Sequence, residues 1–129
     1  MEASRRAGHT VSGRELISDD AKALRREVGR FLSGKDDVLL FTGGTGVSPR
    51  DITIETVRPY FEKEITGFGE LLRRVSFDEV GSAAMLTRAT AGVAKGKLIV
   101  CMPGSPGAVE TALRAAMGEF PHILFIAKG

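Results

Sequence analysis

Two stretches of this chain share one pattern: a short apolar run that breaks into glycine and proline. "DVLLFTGGTGVSPRD" covers residues 37–51, and "KLIVCMPGSPG" covers residues 97–107. Short apolar runs bounded by turn signals suit strands buried on both faces, as in a parallel sheet covered by helices. A glycine cluster loses more backbone entropy on folding than other residues, so it needs a tight turn or a close approach to the main chain. The two runs, each followed by a helical pattern, restrict the chain to layered α/β folds.

The remaining segments fill in that plan. "HTVSGRELI" at 9–17 alternates loosely and predicts a strand weakened by Gly13. "SDD" at 18–20 supplies helix-capping oxygens, and Ala21, Leu24, Val28, Phe31 and Leu32 follow at helical spacing until Gly34. A short helix after Asp51 turns Ile54 and Val57 inward and is interrupted near Pro59. Residues 67–86 read as helix broken at Ser76 and Gly81. "TRATAGVAKGKLIVCM" reads as two strands about a turn at Lys95-Gly96. Val109, Leu113 and Met117 share one face of a helix over 108–117, and "HILFIA" closes the chain. Met85, Met102 and Met117 are expected in the core. No repeat or interdomain linker interrupts the 129 residues, which predicts one domain over 1–129.

Charge and composition exclude several classes. A net charge of +2 is too slight for a nucleic-acid or membrane-binding surface. No apolar run approaches the roughly 20 residues that span a bilayer, and "MEASRRAGHTVSGRE" has no apolar signal core. Cys101 is the single cysteine, so no internal disulfide forms, and it reads as a small buried hydrophobe. His9 and His122 are isolated and lack metal-ligand spacing. A cytoplasmic protein without nucleic-acid or membrane partners is expected.

The glycine loops are the candidate chemistry. Ligands of open α/β sheets bind beyond the carboxyl ends of the strands, where loop amides and helix N-termini favour anions. Gly43, Gly44 and Gly46 can therefore cradle a phosphate, with Thr42 and Thr45 adding hydroxyl donors and Arg50 a positive charge. The same loop serves equally as a tight strand-to-helix turn without a ligand. Neither a Walker A pattern nor a full dinucleotide fingerprint is present, which argues against an ordinary kinase or Rossmann dehydrogenase. Asp19 and Asp51 stand at similar places in successive βα units and could share Mg²⁺. On spacing alone helix capping is favoured over metal binding by two to one. Ser105 does not sit in a nucleophile elbow, and its loop, with Pro103, Gly104 and Pro106, is read as shaping a pocket. The arginine pairs at 25–26 and 73–74 read as helix surface or a subunit contact.

Taken together, these residues resemble the MoaB/MogA family of molybdenum-cofactor biosynthesis proteins. "TGGTGVSPRD" at 42–51 is similar to the family's T-G-G-T-G-x-x-x-R-D signature. Residues 66–92 resemble its P-G-F-G-E and A-x-L-S-R segment, with Thr66 in place of proline. "MPGSPGAV" at 102–109 resembles its L-P-G-x-P-K-x-x loop, with Gly107 where lysine is usual. The order and spacing of all three agree from about residue 8 to the end.

The resemblance implies a three-layer α/β/α fold with a mostly parallel sheet, assembled as a trimer or hexamer. It also implies that the family's first strand and helix are not among these 129 residues, which begin at the last turn of that helix. The implied activity is Mg²⁺- and ATP-dependent adenylylation of molybdopterin, giving adenylyl-molybdopterin and pyrophosphate, with the molybdenum insertase as a further partner. By the same resemblance Asp19 and Asp51 become the catalytic, Mg²⁺-binding carboxylates. Thr42, Gly43, Gly44, Thr45, Gly46, Arg50, Pro103, Gly104, Ser105 and Pro106 become phosphate and substrate contacts. The alternatives are a non-catalytic pterin-binding or scaffold member and an incomplete fragment.

Overall fold

The computed structural model describes residues 20–129. Asp20 caps the first helix, α1 (Ala21–Ser33), its carboxylate accepting the Lys22 N–H. Gly34 ends α1 by donating its N–H to the Phe31 carbonyl. Strand β1 (Val38–Thr42) follows, then the first glycine loop and α2 (Thr53–Val57), which tightens into a 3-10 turn at Arg58–Tyr60. Pro59 lacks the N–H to continue the helix, as expected.

Strand β2 (Lys63–Ile65) leads directly into α3 (Thr66–Val80). A 3-10 segment, Gly81–Leu86, joins α3 to a hairpin of β3 (Thr90–Ala94) and β4 (Lys97–Met102). The hairpin turn is Lys95-Gly96, with φ of 53° and 73°, the left-handed pair that a two-residue turn of this type requires. After the second glycine loop come α4 (Pro106–Ala116), a 3-10 turn and α5 (Phe120–Ala127).

The four described strands lie in the order β1-β4-β3-β2. β1 runs parallel to β4, while β3 is antiparallel to both β4 and β2. The sheet is thus mixed rather than mostly parallel among the described strands, because a tight hairpin can only return its second strand antiparallel. The strand expected over 9–17 lies outside the described residues.

Strand β4 shows why the architecture has three layers. Leu98, Ile99, Val100, Cys101 and Met102 are all fully buried. Successive strand residues point to opposite faces. Leu98, Val100 and Met102 accordingly pack with Phe68, Leu72 and Leu113 of α3 and α4. Ile99 and Cys101 pack with Leu24, Val28, Phe31, Ile54 and Val57 of α1 and α2. A strand apolar on both faces needs a helical layer on each side.

Three local expectations change. α3 runs through Ser76 without a break and stops only at Gly81, whose φ is +67°. Serine is a tolerable helix interior residue, and the Arg74–Asp78 ion pair spans it from one turn to the next. Met85 is 79% exposed and does not fill the core, whereas Met102 and Met117 do. Arg73 is not simple helix surface, since its Nη1 donates to the Thr87 carbonyl at 3.1 Å.

Candidate functional site

β1 and β4 end side by side, with Thr42 opposite Met102. Gly43 continues the ladder, donating its N–H to the Met102 carbonyl at 2.9 Å. Both glycine loops therefore leave the sheet at the same place, and they touch. A Cβ on Gly104 would lie 3.0 Å from Gly43 Cα and 3.3 Å from Gly43 N. Gly43 and Gly44 have φ of 104° and 66°, a region that L side chains rarely occupy.

The first loop is then fixed by its own bonds. The Gly44 carbonyl accepts the Thr53 N–H at 3.0 Å, and the Ser48 carbonyl accepts the Asp51 N–H at 3.0 Å. Asp51 Oδ2 accepts from Ser48 N–H at 3.0 Å and from Ser48 Oγ at 2.8 Å. Gly46 crowds the same carboxylate, since a Cβ there would fall 2.6 Å from Oδ2. The Ser48 hydroxyl, then the Ser48 amide, hold the Asp51 carboxyl below the usual carboxylate range, with the Gly46 amide and the Arg88 guanidinium adding to them. Asp51 is an anion at neutral pH.

These elements enclose a cleft of about 290 Å³. Gly44, Thr45, Gly46 and Asp51 line it from the first loop and Pro103 and Gly104 from the second, with Leu86, Thr87 and Arg88 opposite. Thr45 is 3% exposed, and among the described residues its hydroxyl has no hydrogen-bond partner. A buried hydroxyl left unpaired costs about 1–3 kcal/mol. The Gly43 and Ser48 amides, in contrast, are occupied by Met102 and Asp51.

The cleft gathers six of the residues expected from the sequence and leaves others beside it. Gly43 forms the joint between the loops, while Thr42, Arg50, Ser105 and Pro106 do not line the cleft. Ser105 instead caps α4, its Oγ accepting the Ala108 N–H at 3.3 Å, with Pro106 in the first helical position. Asp19 lies outside the described residues.

Among the described residues no three His, Cys, Asp or Glu side chains come together as a metal cage. Among the described residues Asp51 is the one carboxylate lining the cleft. That donor set fits Mg²⁺ brought on a phosphate, which takes one or two carboxylates and fills its octahedron with water and phosphate oxygens.

A second cleft of about 330 Å³ adjoins the first, with Arg58, Arg73 and Arg88 facing Glu55 and Glu64. Glu64 Oε2 accepts from Thr90 Oγ1 at 2.6 Å and from Arg58 Nε at 3.2 Å. The Thr90 hydroxyl, then Arg58, keep the Glu64 carboxyl low. Arg88 borders both clefts. Sequence spacing gave no reason to place the segment Leu86–Arg88 at the glycine loop.

In open α/β sheets ligands bind beyond the carboxyl ends of the strands, which is where this glycine-loop cleft lies. Residues 1–122 match the family described as probable molybdopterin binding domain, and the chain belongs to that family. It is 43% identical over 127 residues to molybdenum cofactor biosynthesis protein B of Bacillus anthracis, spanning 96% of this chain and 75% of the relative. A crystal structure of a molybdenum cofactor biosynthesis protein B superposes with a TM-score of 0.92 at 43% identity, covering 98% of this chain and 80% of that one. The crystal structure of the tungsten cofactor synthesizing protein MoaB from Pyrococcus furiosus gives a TM-score of 0.84 at 40% identity, over 89% and 74% of the two chains. The three-layer expectation is thereby met. No helix among the described residues is long and apolar enough to cross a membrane.

Proposed function

We propose that this protein acts in molybdenum cofactor biosynthesis as a molybdopterin adenylyltransferase. The observation that carries the reading is the junction of the two glycine loops at Gly43 and Gly104, with Asp51 and the buried Thr45 lining one cleft. Membership of a molybdopterin-binding family supports the pterin as ligand.

In the reaction an oxygen of the pterin's terminal phosphate attacks the α-phosphorus of ATP. The bond from that phosphorus to the β-bridging oxygen breaks, and pyrophosphate leaves with the electron pair. No protein nucleophile and no redox change are needed, so positioning and charge compensation carry the chemistry. The Gly44 and Thr45 segment, with Gly104 opposite, lets phosphate oxygens approach the main chain. The buried Thr45 hydroxyl donates to one of them. Mg²⁺ carried on the triphosphate would be held by Asp51, with Asp19 as the expected second ligand, and would offset repulsion between the phosphates. Ser48 keeps Asp51 ionised and oriented for that role.

A second reading, pterin binding without AMP transfer, is favoured by the same loop. Asp51 already accepts two bonds from Ser48, and Gly107 provides no cation at the start of α4. The deciding assay supplies molybdopterin, ATP and Mg²⁺ to the purified chain beside Asp51→Ala. Transfer that vanishes in the variant supports the adenylyltransferase. Pterin binding without transfer by the folded wild type selects the second reading.

A further inference from the structure

We propose that Arg88 is an anion receptor shared by the two clefts, and that Glu55 occupies it as a place-holder until a phosphate displaces it. The inference rests on reading the glycine-loop cleft as a phosphate site.

Arg88 is held from behind. α3 approaches the strand leading to β3 so closely at Gly69 that a Cβ there would fall within 2.3 Å of the Ala89 carbonyl oxygen. Four residues on, Arg73 ties the Thr87 carbonyl at 3.1 Å. The backbone on both sides of Arg88 is therefore clamped to α3, and its side chain is left to reach forward between the clefts. There its Nη2 pairs with Glu55 Oε2 on α2.

The magnitudes favour exchange. The Arg88 and Glu55 side chains are 31% and 53% exposed, so the pair is open to water. Such a pair adds little net stability, because water screens it and two side chains must be ordered to form it. A guanidinium bound in a fork to phosphate gains charge-assisted bonds roughly twice as strong as neutral ones. Glu55 therefore keeps Arg88 extended and neutralised in the empty protein without competing strongly against a polyanion. Arg88 then becomes the positive group of the first cleft, since among the described residues no other cation lines it.

The test is calorimetric titration with inorganic pyrophosphate, without divalent cations, on wild type, Arg88→Gln and Glu55→Gln, with circular dichroism melts to verify folding. Loss of a charge-assisted phosphate contact should weaken binding by about tenfold in Arg88→Gln. Glu55→Gln should tighten it several-fold, because a competitor has been removed. Opposite signs from the two halves of one ion pair are not what a merely structural bridge would give. Weaker or unchanged binding in Glu55→Gln overturns the proposal, as does an unaltered affinity in Arg88→Gln or no affinity in wild type. Because Glu55 is exposed, its variant decides the sign even if Arg88→Gln fails to fold. AMP transfer is measured alongside: opposite shifts without any transfer would remove the adenylyltransferase reading and leave this one. Transfer with wild-type pyrophosphate affinity in both variants would do the reverse.

Discussion

Lys97 Nζ lies 2.6 Å from the carbonyl oxygen of Gly34, closing the C-terminal end of α1 onto the first residue of β4. The same ammonium donates to Phe31 O at 3.1 Å and Asp36 O at 2.9 Å, and stands 5.0 Å over the Phe31 ring. It satisfies carbonyls that a helix end leaves unpaired and complements the helix dipole. Lys97→Met should therefore cost about 1.5–3 kcal/mol, the range for hydrogen bonds to a charged group. Urea denaturation would show this as a lower midpoint with an unchanged slope; a midpoint equal to wild type would refute it.

Ser48→Ala removes the strongest support of the depressed Asp51 carboxyl. A carboxyl whose folded pKa is below its unfolded value, about 3.9, stabilises the protein above that pH and loses the effect as pH falls through the folded value. The variant should melt lower than wild type at neutral pH, and the two curves should converge in strong acid. A constant gap across the acid range would mean that Ser48 acts on the loop by another route.

Gly107 is open to solvent, with nothing within 4 Å of a Cβ placed there. Gly107→Lys gains about 0.5–1 kcal/mol of helix propensity. A cation in the first turn of α4 gives back about 0.3–1 kcal/mol. Stability should stay near wild type while affinity for pyrophosphate rises, as read by calorimetry. A rise in melting temperature without a gain in affinity would place the residue outside the anion site.

Self-association is expected from four apolar side chains close in sequence, Phe77 and Val80 on α3 and Met85 and Leu86 after it, each more than half exposed at 56%, 58%, 79% and 58%. Large apolar side chains exposed together mark interaction sites. Light scattering should give a multiple of the chain mass, and Phe77→Asp with Met85→Asp should reduce it. A monomeric wild type at micromolar concentration would rule the assembly out.

Cys101 is fully buried, and burial pushes its thiol up to about 12. It should resist thiol reagents in the folded protein and react once denaturant is added. Reaction at the native rate of a free thiol would show that β4 opens.

The sequence declared its strands and turns where a single residue type was sufficient. Gly34 and Lys95-Gly96 end or turn the chain as read, and the buried β4 run follows from its composition. Ser76 misled because one serine costs a helix little, and α3 stops only where Gly81 takes a positive φ. At the site, TGGTG and PGSPG identified the cleft, yet the bonds that occupy the Gly43 and Ser48 amides depend on strand pairing and on Asp51 turning inward. Arg88 and Glu55 are separated by 33 residues, so only the folded backbone brings them together.

The pairing of β1 with β4 also sets an order of events. β3 and β4 meet through a two-residue turn, whereas Val38 must find Leu98 across the whole middle of the chain. Local hairpins close in microseconds, and distant pairings wait on loop closure. The junction of Gly43 with Gly104 lies at the end of that distant pairing, so the glycine-loop cleft is among the last features to form. Transition-state φ-values should be higher at Val93 than at Leu40; the reverse order would contradict this. Closure of the cleft then marks the completion of folding, and destabilised variants should lose it while their hairpin and helices still give a native-like spectrum.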